Sequence, residues 1–252
     1  MRPILRLTLI SLAAAAALPH TAAAQGWTGT GELGLAAARG NARSENLNAK
    51  LDFANEDDRW KHSFGMSVLR AKGEISGDFD GDGVIDDRFE LTANRLTLNG
   101  SSALKMNERA SWISAIRYEQ DDFNSYDNQT TFSIGYGYTF YSTDTGRLHA
   151  EIGPGYRRAE LADTGEIETN AIARGLLEWN QTLTASTVLS NQLLVESGKD
   201  NSFAQNDFGV AVSMTEKMAL KAGLQARYNS ETTPGTKSTD LLTTINLVYS
   251  FK

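Results

Sequence analysis

The residues of this chain whose types and spacing could do chemistry are concentrated in one acidic stretch, residues 77–87, with the sequence GDFDGDGVIDD. Three aspartates alternate with other residues, and a glycine follows the third aspartate. A further aspartate comes four positions after that third aspartate. Calcium loops of the EF-hand type place oxygen ligands at alternate positions from 1 to 9, with a glycine at position 6 for the sharp turn. The stretch therefore predicts a calcium site whose ligands are Asp78, Asp80, Asp82 and Asp86.

The match to a full calcium loop ends before its last ligand. Position 12, where a bidentate glutamate is needed, holds Phe89, and Glu90 comes one residue late. No helical period flanks the stretch, so it is closer to the D-x-D-x-D-G turns of repeat proteins than to a complete EF-hand. The alternative is a solvated acidic hairpin loop in which Asp-Gly pairs supply the turn conformations. In both interpretations the loop is structural, and Ca²⁺ is the one candidate cofactor.

Catalysis by a chain of this kind would need a histidine paired with a serine or an aspartate. After its N-terminal leader the chain has only His62 and His149. His62 precedes Ser63 but shares an apolar strand face with Phe64, whereas His149 lies on a polar face beside Glu151. The sequence has no phosphate-binding loop, zinc motif or nucleotide fingerprint. We therefore expect no enzyme, and a hydrolase that depends on one of these histidines is the alternative.

The N-terminus predicts export from the cytoplasm. Arg2 and Arg6 precede an apolar run over residues 7–18. Ala22 and Ala24 occupy the small-residue positions before a cleavage site. A charged start, a short apolar stretch and an A-x-A site are typical of a secretory signal peptide, and the run is too short for a membrane-spanning helix. We expect residues 1–24 to be removed, so that the mature chain begins at Gln25.

Composition excludes several classes of function. Removing the signal takes away two of the 24 Lys and Arg residues and none of the 31 Asp and Glu residues, so the mature chain is more acidic than the formal net charge of −7. Nucleic-acid binding needs clustered basic residues, and we therefore expect no nucleic-acid partner. The absence of cysteine excludes disulfides, cysteine-based zinc sites and thiol chemistry.

The elements that must position these residues are β-strands, because the dominant period after the leader is two. Residues 131–141 (TFSIGYGYTFY) place Phe132, Ile134 and Tyr136 on one face, and threonine, serine and glycine on the other. We count about 12 strands in one domain, and no long helical period competes with them. The same alternation recurs over residues 47–53, 148–157, 208–214, 220–228 and 241–251.

The connections between the strands alternate in length. Short turns occur near residues 55–59, 106–109, 143–147, 181–185 and 215–218, and generally longer connections near residues 40–45, 73–87, 121–128, 159–169, 197–205 and 230–238. Short turns on one rim and long loops on the other are typical of outer-membrane barrels, whose even strand number puts both termini on the periplasmic side. The sequence thus predicts an all-β fold, an antiparallel up-and-down transmembrane β-barrel.

The size of the barrel indicates which strand face points outward. Side chains can fill the interior of about eight strands, whereas about 12 strands leave a wider lumen. Charges on the polar face are costly unless water or partners surround them. We therefore predict that the apolar face meets lipid and that the lumen is lined by Lys50, Asp52, Lys105, Arg117, Glu151, Arg157, Arg174, Glu178, Lys221 and Arg227. The alternative is a soluble periplasmic β-barrel that binds a small ligand in an apolar interior. We interpret the four tryptophans as strand-end aromatics of the membrane girdles. They are Trp27, Trp60, Trp112 and Trp179.

Several segments carry a likeness to a known family. The opening GELGLAAARGNARSENLNAKLDF (31–53) with its Gly40–Asn41 turn, the middle strands FSIGYGYTFY and EIGPGYRR, and the closing LVYSF resemble a bacterial family of salt-induced outer-membrane proteins of unknown function. The likeness covers essentially the whole mature chain and implies an outer-membrane β-barrel, without catalytic or binding residues to transfer. The chain departs from the usual aromatic terminus of such barrels, because Phe251 is followed by Lys252.

These observations predict a Gram-negative outer-membrane barrel over residues 25–252. Its expected partners are outer-membrane lipid and the outer-membrane assembly machinery. The mixed charge of its lumen favours a narrow, porin-like passive pore or a structural protein of the envelope. The resemblance adds an expected link to salt or osmotic conditions.

Overall fold

The computed structural model describes residues 26–39, 43–232 and 237–251, and it arranges them as twelve antiparallel strands that close into one barrel. Each strand pairs with its neighbours in sequence, and β1 pairs with β12. The predicted all-β, up-and-down barrel with about 12 strands is confirmed. No helix among the described residues is long and apolar enough to cross a membrane. The strands are β1 (Trp27–Ala38), β2 (Ser44–Glu56), β3 (Trp60–Gly77), β4 (Asp86–Lys105), β5 (Ala110–Asp121), β6 (Tyr126–Ser142), β7 (Gly146–Leu161), β8 (Ile167–Thr182), β9 (Thr187–Gly198), β10 (Ser202–Ser213), β11 (Met218–Asn229) and β12 (Thr239–Phe251).

One rim of the barrel carries only short turns, and we call it the short-turn rim. Its turns are residues 57–59, 106–109, 143–145, 183–186 and 214–217, and β1 begins and β12 ends on the same side. Polar side chains close these turns by accepting backbone hydrogen bonds. Asp57 accepts bonds from the amides of Trp60 and Arg59, both at 2.7 Å, and these bonds lower the pKa of the Asp57 carboxyl. Asn107 accepts bonds from Arg109 and Ala110 in the same way.

The opposite rim, the long-loop rim, is less uniform than the sequence predicts. The connections 78–85 and 230–238 are long, as expected. The expectation of long loops is wrong for 122–125 and 199–201, because the adjoining strands continue through much of the polar sequence taken for loop. The polar stretches near 121–128 and 197–205 therefore belong to strand ends over at least half of their length.

The strand faces point as predicted, with apolar side chains outward and polar side chains inward. Ile134 is 51% exposed on the outer surface, whereas its neighbour Ser133 is 4% exposed and faces the interior. All four tryptophans lie in strand segments next to the short-turn rim, where a girdle of aromatics was expected. An open apolar exterior also argues against the alternative of a soluble barrel with an apolar interior.

Four of the sequence predictions fall outside the described residues. They are the signal peptide over residues 1–24, the start of the mature chain at Gln25, the Gly40–Asn41 turn and the terminal Lys252.

Candidate functional site

The polar interior of the barrel is the candidate functional site. Strand register and burial place all ten predicted lumen charges on the inner face: Lys50, Asp52, Lys105, Arg117, Glu151, Arg157, Arg174, Glu178, Lys221 and Arg227. Alternation alone was sufficient to predict this, because every second residue of a strand shares a face. The structure adds which of these charges bind one another.

Four charged side chains form a network across the half of the lumen that adjoins the long-loop rim. Arg117 on β5 binds Glu196 on β9 at 2.5 Å and also Glu119 on its own strand at 3.1 Å. Arg227 on β11 binds the other oxygen of Glu119 at 2.5 Å. Because β5 and β11 stand opposite each other in the ring of twelve strands, the bond between Arg227 and Glu119 crosses the lumen.

A phenylalanine completes this arrangement, which we call the cross-lumen network (Arg117, Glu119, Glu196, Phe203 and Arg227). Phe203 is fully buried, with the Arg117 and Arg227 guanidinium carbons 4.5 and 5.1 Å from its ring centre. Guanidinium groups are attracted to aromatic ring faces, so the ring holds both cations in place. Sequence reasoning missed Phe203, although its position in the alternation assigns it to the polar face with Asp207.

Arg157 lies deep in the same half of the lumen and has fewer partners. Its Nη2 donates to the backbone carbonyl of Asn201 at 2.8 Å, whereas its Nε and Nη1 have no protein hydrogen-bond partner among the described residues. Asn201 in turn accepts hydrogen bonds from the amides of Ser230 and Glu231. Asn201 thus links two connections of the long-loop rim, a role that nothing in its sequence context indicated.

A second charge cluster lies in the half of the lumen near the short-turn rim. The ring nitrogens of His149 contact the Thr139 hydroxyl at 3.0 Å and the Glu151 carboxylate at 3.5 Å. Arg174 binds the other oxygen of Glu151 at 2.8 Å. His149 therefore has the role expected of a lumen histidine in a charge network, and it has no serine partner in the described contacts.

The lumen is accessible to water at the inner face of β2. Lys50 and Asp52 form an ion pair at 3.1 Å, and both side chains are 41% exposed. In the cross-lumen network, by contrast, Glu119, Glu196 and Arg227 are each 3% exposed or less. The water-accessible part of the lumen is thus eccentric, displaced from the packed network.

The other histidine, His62, lies on the outer surface as predicted. Its Nδ1 is 2.8 Å from the hydroxyl of Ser102 on β4, and its ring stacks on Trp60 at 5.7 Å. Ser63, its neighbour in sequence, points to the opposite face. No carboxylate binds the ring of His62 in the described contacts. The pair resembles part of a hydrolytic site but lacks the acid that would orient the base.

The acidic loop brings three of its four predicted calcium ligands together. Carboxylate oxygens of Asp78, Asp80 and Asp82 lie within 4.8 Å of one another, and all three residues are exposed. Asp86 is outside this group because it begins β4 and pairs with Gly77. Each of the three carboxylates also accepts a backbone amide within the loop, which is the geometry that the solvated-turn alternative requires.

Comparisons with known proteins agree with the fold. The family model described as "Protein of unknown function, DUF481" matches residues 31–251. The NanC porin superposes with a TM-score of 0.53 at 10% identity, covering 90% of this chain and 99% of that chain. The COG4313 outer membrane channel from Pseudomonas putida F1 gives a TM-score of 0.50 at 11% identity, covering 89% of this chain and 95% of that chain. No curated protein matches the chain. At these identities the likeness to solved structures establishes the fold alone.

Proposed function

Because the chain belongs to the DUF481 family, whose description assigns no activity, we propose its function from the geometry of its lumen: it is an outer-membrane barrel that forms a narrow passive pore for ions and small polar solutes. The observation that carries the proposal is the water-accessible Lys50–Asp52 pair beside a packed network. The porins and channels of similar fold support the same interpretation.

The two surfaces of the wall support a membrane location. Apolar side chains cover the exterior, where Phe132, Ile134 and Ile152 are about half exposed or more. A closed ladder satisfies the backbone within lipid, and a polar lumen keeps its charges hydrated. The signal peptide and the outer-membrane location are part of this proposal.

The network makes the proposed pore narrow. Bonds from β5 to β9 and β11 restrict the lumen, so solutes would pass along the exposed inner face of β2. Conductance should therefore be small compared with that of wide porins, and charge selectivity should depend on residues such as Lys50.

Reversal of charge tests the pore directly. Lys50→Glu should shift the reversal potential of single channels in a planar bilayer towards cation selectivity, because it replaces a cation on the water-accessible wall. Arg70→Glu makes the same kind of change on the outer surface, opposite Leu47, and should leave selectivity unchanged. A wild-type barrel that inserts but carries no current would instead favour a structural role in the envelope.

A link to salt or osmotic conditions is a further part of the proposal, and it rests on the family resemblance. The amount of the protein in cells grown at low and at high sodium chloride concentration tests it. Equal amounts under the two conditions would remove the link without affecting the proposed pore.

One observation favours a second candidate, an outer-membrane hydrolase. The contact between His62 and Ser102 faces the lipid, where an ester substrate could reach it. Hydrolysis of a chromogenic lipid ester by the refolded barrel would support this candidate if Ser102→Ala and His62→Ala both abolished the activity. Activity that survived Ser102→Ala would exclude it.

A further inference from the structure

Lysine and arginine side chains are rare on the outer surface of the barrel wall, and two of them lie side by side. Strand pairing puts all but three of the Lys and Arg residues in the described strands on the inner face. The three that face outward are Arg70 and Lys72 on β3 and Arg158 on β7. Arg70 and Lys72 are two positions apart, so about 7 Å of strand separates them. Because like charges this close repel each other, an anion bound between them would be stabilising.

These two cations lie at the height where the apolar band of the wall ends. A membrane strand crosses the hydrocarbon layer in about 9–11 residues. β3 begins at Trp60 beside the short-turn rim, and Phe64 and Val68 face outward along it. Arg70 comes ten residues after Trp60. Arg70 and Lys72 therefore reach the level of the lipid headgroups on the side of the long-loop rim.

Neither cation forms an ion pair in the part of the chain that the structure describes. Arg70 lies between Leu47 on β2 and Asn94 on β4. The next carboxylate on that side, Asp122, accepts a hydrogen bond from the Asn94 amide at 2.6 Å. Arg70 thus presents an exposed guanidinium whose strand neighbours carry no negative charge.

Lys72 has a carboxylate beside it that another residue already binds. Glu45 pairs with Lys72 across β2 and β3, but the carboxylate of Glu45 binds Arg39 at 2.9 Å. The Lys72 ammonium lies 5.8 Å from the ring centre of Phe89, and the Arg43 guanidinium covers the same ring at 4.0 Å. Cations are therefore concentrated around Lys72, and one of them neutralises the nearest acid.

The acids of this surface do not outnumber its cations. Three carboxylates and four cations lie on it: Glu45, Glu74, Asp122, Arg39, Arg43, Arg70 and Lys72. The acidic loop of the β3–β4 hairpin begins at Asp78, six residues or about 20 Å of strand beyond Lys72. Because that distance exceeds the screening length of about 8 Å at physiological salt, the loop charges have little effect at Lys72.

A cavity of about 430 Å³ connects the two cations to an apolar surface. Leu35, Ala37 and Leu47 line its outer part beside Arg70 and Lys72. The remaining lining residues are the bound carboxylate on β2 and two inward-facing side chains of β1 and β2. The cavity lies against the edge of β1 beyond the short ladder that β1 forms with β12. Its volume is within the usual range for small-molecule sites.

From these observations we propose that the outer surface of β1 to β3 binds one phosphorylated lipid of the leaflet at the long-loop rim. The phosphate binds Arg70 and Lys72 through charge-assisted hydrogen bonds, and an acyl chain lies on Leu35 and Leu47 and continues into the bilayer. Basic pockets at the headgroup level bind anionic lipid heads in this way. The proposal rests on the outer-membrane location proposed above, but not on the pore.

Mass spectrometry of the intact refolded barrel, released from detergent micelles, tests the proposal. The wild-type barrel is offered dioleoyl phosphatidic acid and dioleoyl phosphatidylcholine at equal concentration, so that only the head differs. We expect one phosphatidic acid to be retained on each barrel. Equal retention of the two lipids would overturn the proposal, because the surface would then recognise acyl chains alone.

Substitution of the two cations locates the bound phosphate. Arg70→Gln with Lys72→Gln should weaken binding of phosphatidic acid about thirtyfold, or about 2 kcal/mol. The exchange Arg70→Lys with Lys72→Arg keeps both charges and should bind like the wild type, which separates loss of charge from loss of fold. Arg158→Gln is the matched control, because Arg158 is an exposed, outward arginine near the same rim without a second outward cation on β7. Full binding by the double glutamine variant, or an equal loss in the control, would contradict the site.

The head without its chains distinguishes a lipid from free phosphate. Glycerol phosphate at the same concentration should not displace phosphatidic acid, and displacement would overturn the lipid as the occupant. The double glutamine variant should keep the single-channel selectivity of the wild type, because both side chains face away from the lumen. A barrel without current that still retains phosphatidic acid would reject only the pore. A conducting barrel without preference for phosphatidic acid would reject only this site.

Discussion

At the scale of single residues, the sequence predicts which charges lie inside the barrel but not how they pair. Arg117 and Glu196 are 79 positions apart, and no spacing rule relates residues on strands that meet only across a lumen. Phe203 was missed for a related reason, since a lone aromatic on a polar face has no pattern to mark it. The partners become evident only when the number of strands and their register are known.

Two of the buried arginines in the long-loop half of the lumen, Arg117 and Arg157, should respond differently to the same substitution. Arg117→Met leaves the buried Glu196 without its cation, and breaking such a pair costs about 3–5 kcal/mol of unfolding free energy. Arg157→Met removes a cation whose Nε and Nη1 have no protein partner, and it deprives only the Asn201 carbonyl of a donor. We expect it to cost about 1 kcal/mol or less.

Urea titration of both variants in lipid vesicles, followed by tryptophan fluorescence, measures the difference. Both variants keep a long side chain in place of the arginine, so a difference in packing volume is a minor factor. Equal losses of stability would indicate that Arg157 has a charged partner not present among the described protein contacts.

At the scale of elements, the alternation of apolar and polar residues predicted the strands and their faces, whereas polar composition overestimated the length of two loops. The connections 122–125 and 199–201 are short because strands continue into polar sequence that projects beyond the apolar band. Polar residues occupy most positions on both faces of these strand ends, so the period of two that marks an apolar face disappears. Polar strand ends and loops then have the same composition, and sequence alone cannot separate them.

Arginine substitutions on the outer and the inner strand face should have clearly different effects on folding. Ile134→Arg places a charge on the apolar exterior and should cost about 2–4 kcal/mol if the residue is near the bilayer midplane. Asn46→Arg, at an exposed position on the inner face, should be tolerated. Alternation alone would also allow Ser133→Arg, but Ser133 is packed in the lumen and we expect that variant to be disruptive. The yield of folded barrel from refolding reports all three effects.

The acidic loop of the β3–β4 hairpin remains a predicted calcium site, and removal of the ion tests it. Binding should be weak, with a dissociation constant of roughly 10⁻⁴–10⁻³ M, because the ligand at position 12 is absent. Chelation should leave Asp78, Asp80 and Asp82 repelling one another, and it should therefore speed cleavage by chymotrypsin after Phe79. The barrel itself should stay folded, since its strands close without this loop.

Two comparisons make the loop experiment decisive. The variant with Asp80→Asn and Asp82→Asn should be cleaved at one rate with or without chelator. Cleavage after Phe123, in the connection 122–125, should be independent of calcium in every sample. If the loop is cut equally fast at millimolar calcium and in chelator, and calorimetry shows no heat of binding, the solvated turn is the remaining interpretation.

At the scale of the whole molecule, the even strand number lets β1 and β12 pair antiparallel and puts the start of β1 and the end of β12 on the same rim. The soluble alternative differs from the membrane barrel in where the apolar surface lies, and the outward faces are apolar. We therefore expect the mature protein in the outer-membrane fraction, with a gel mobility that changes on boiling because a closed ladder resists detergent. Recovery from the soluble periplasm would contradict this expectation.

The closure between β1 and β12 should be the least stable part of the barrel wall. β1 and β12 share five residue pairs, whereas β10 shares eleven with each of its neighbours. A ring of strands opens first where its ladder is shortest, since fewest hydrogen bonds must break together. Side chains that reinforce this seam should therefore contribute more to stability than equally exposed side chains elsewhere on the wall.

Phe251 is the side chain that tests this expectation. It ends the short ladder opposite Gly29, and its ring contacts those of Phe53 and Tyr249 at centroid distances of 6.2 and 5.0 Å. Aromatic pairs contribute about 0.5–1.5 kcal/mol beyond their buried area, so Phe251→Ala should lower the temperature at which the folded gel band is lost. Phe208→Ala is the matched control, because Phe208 is similarly exposed (38% against 42%) but lies between two long ladders. Its loss should lower that temperature less, and an equal effect would mean that the short seam is not where the barrel opens.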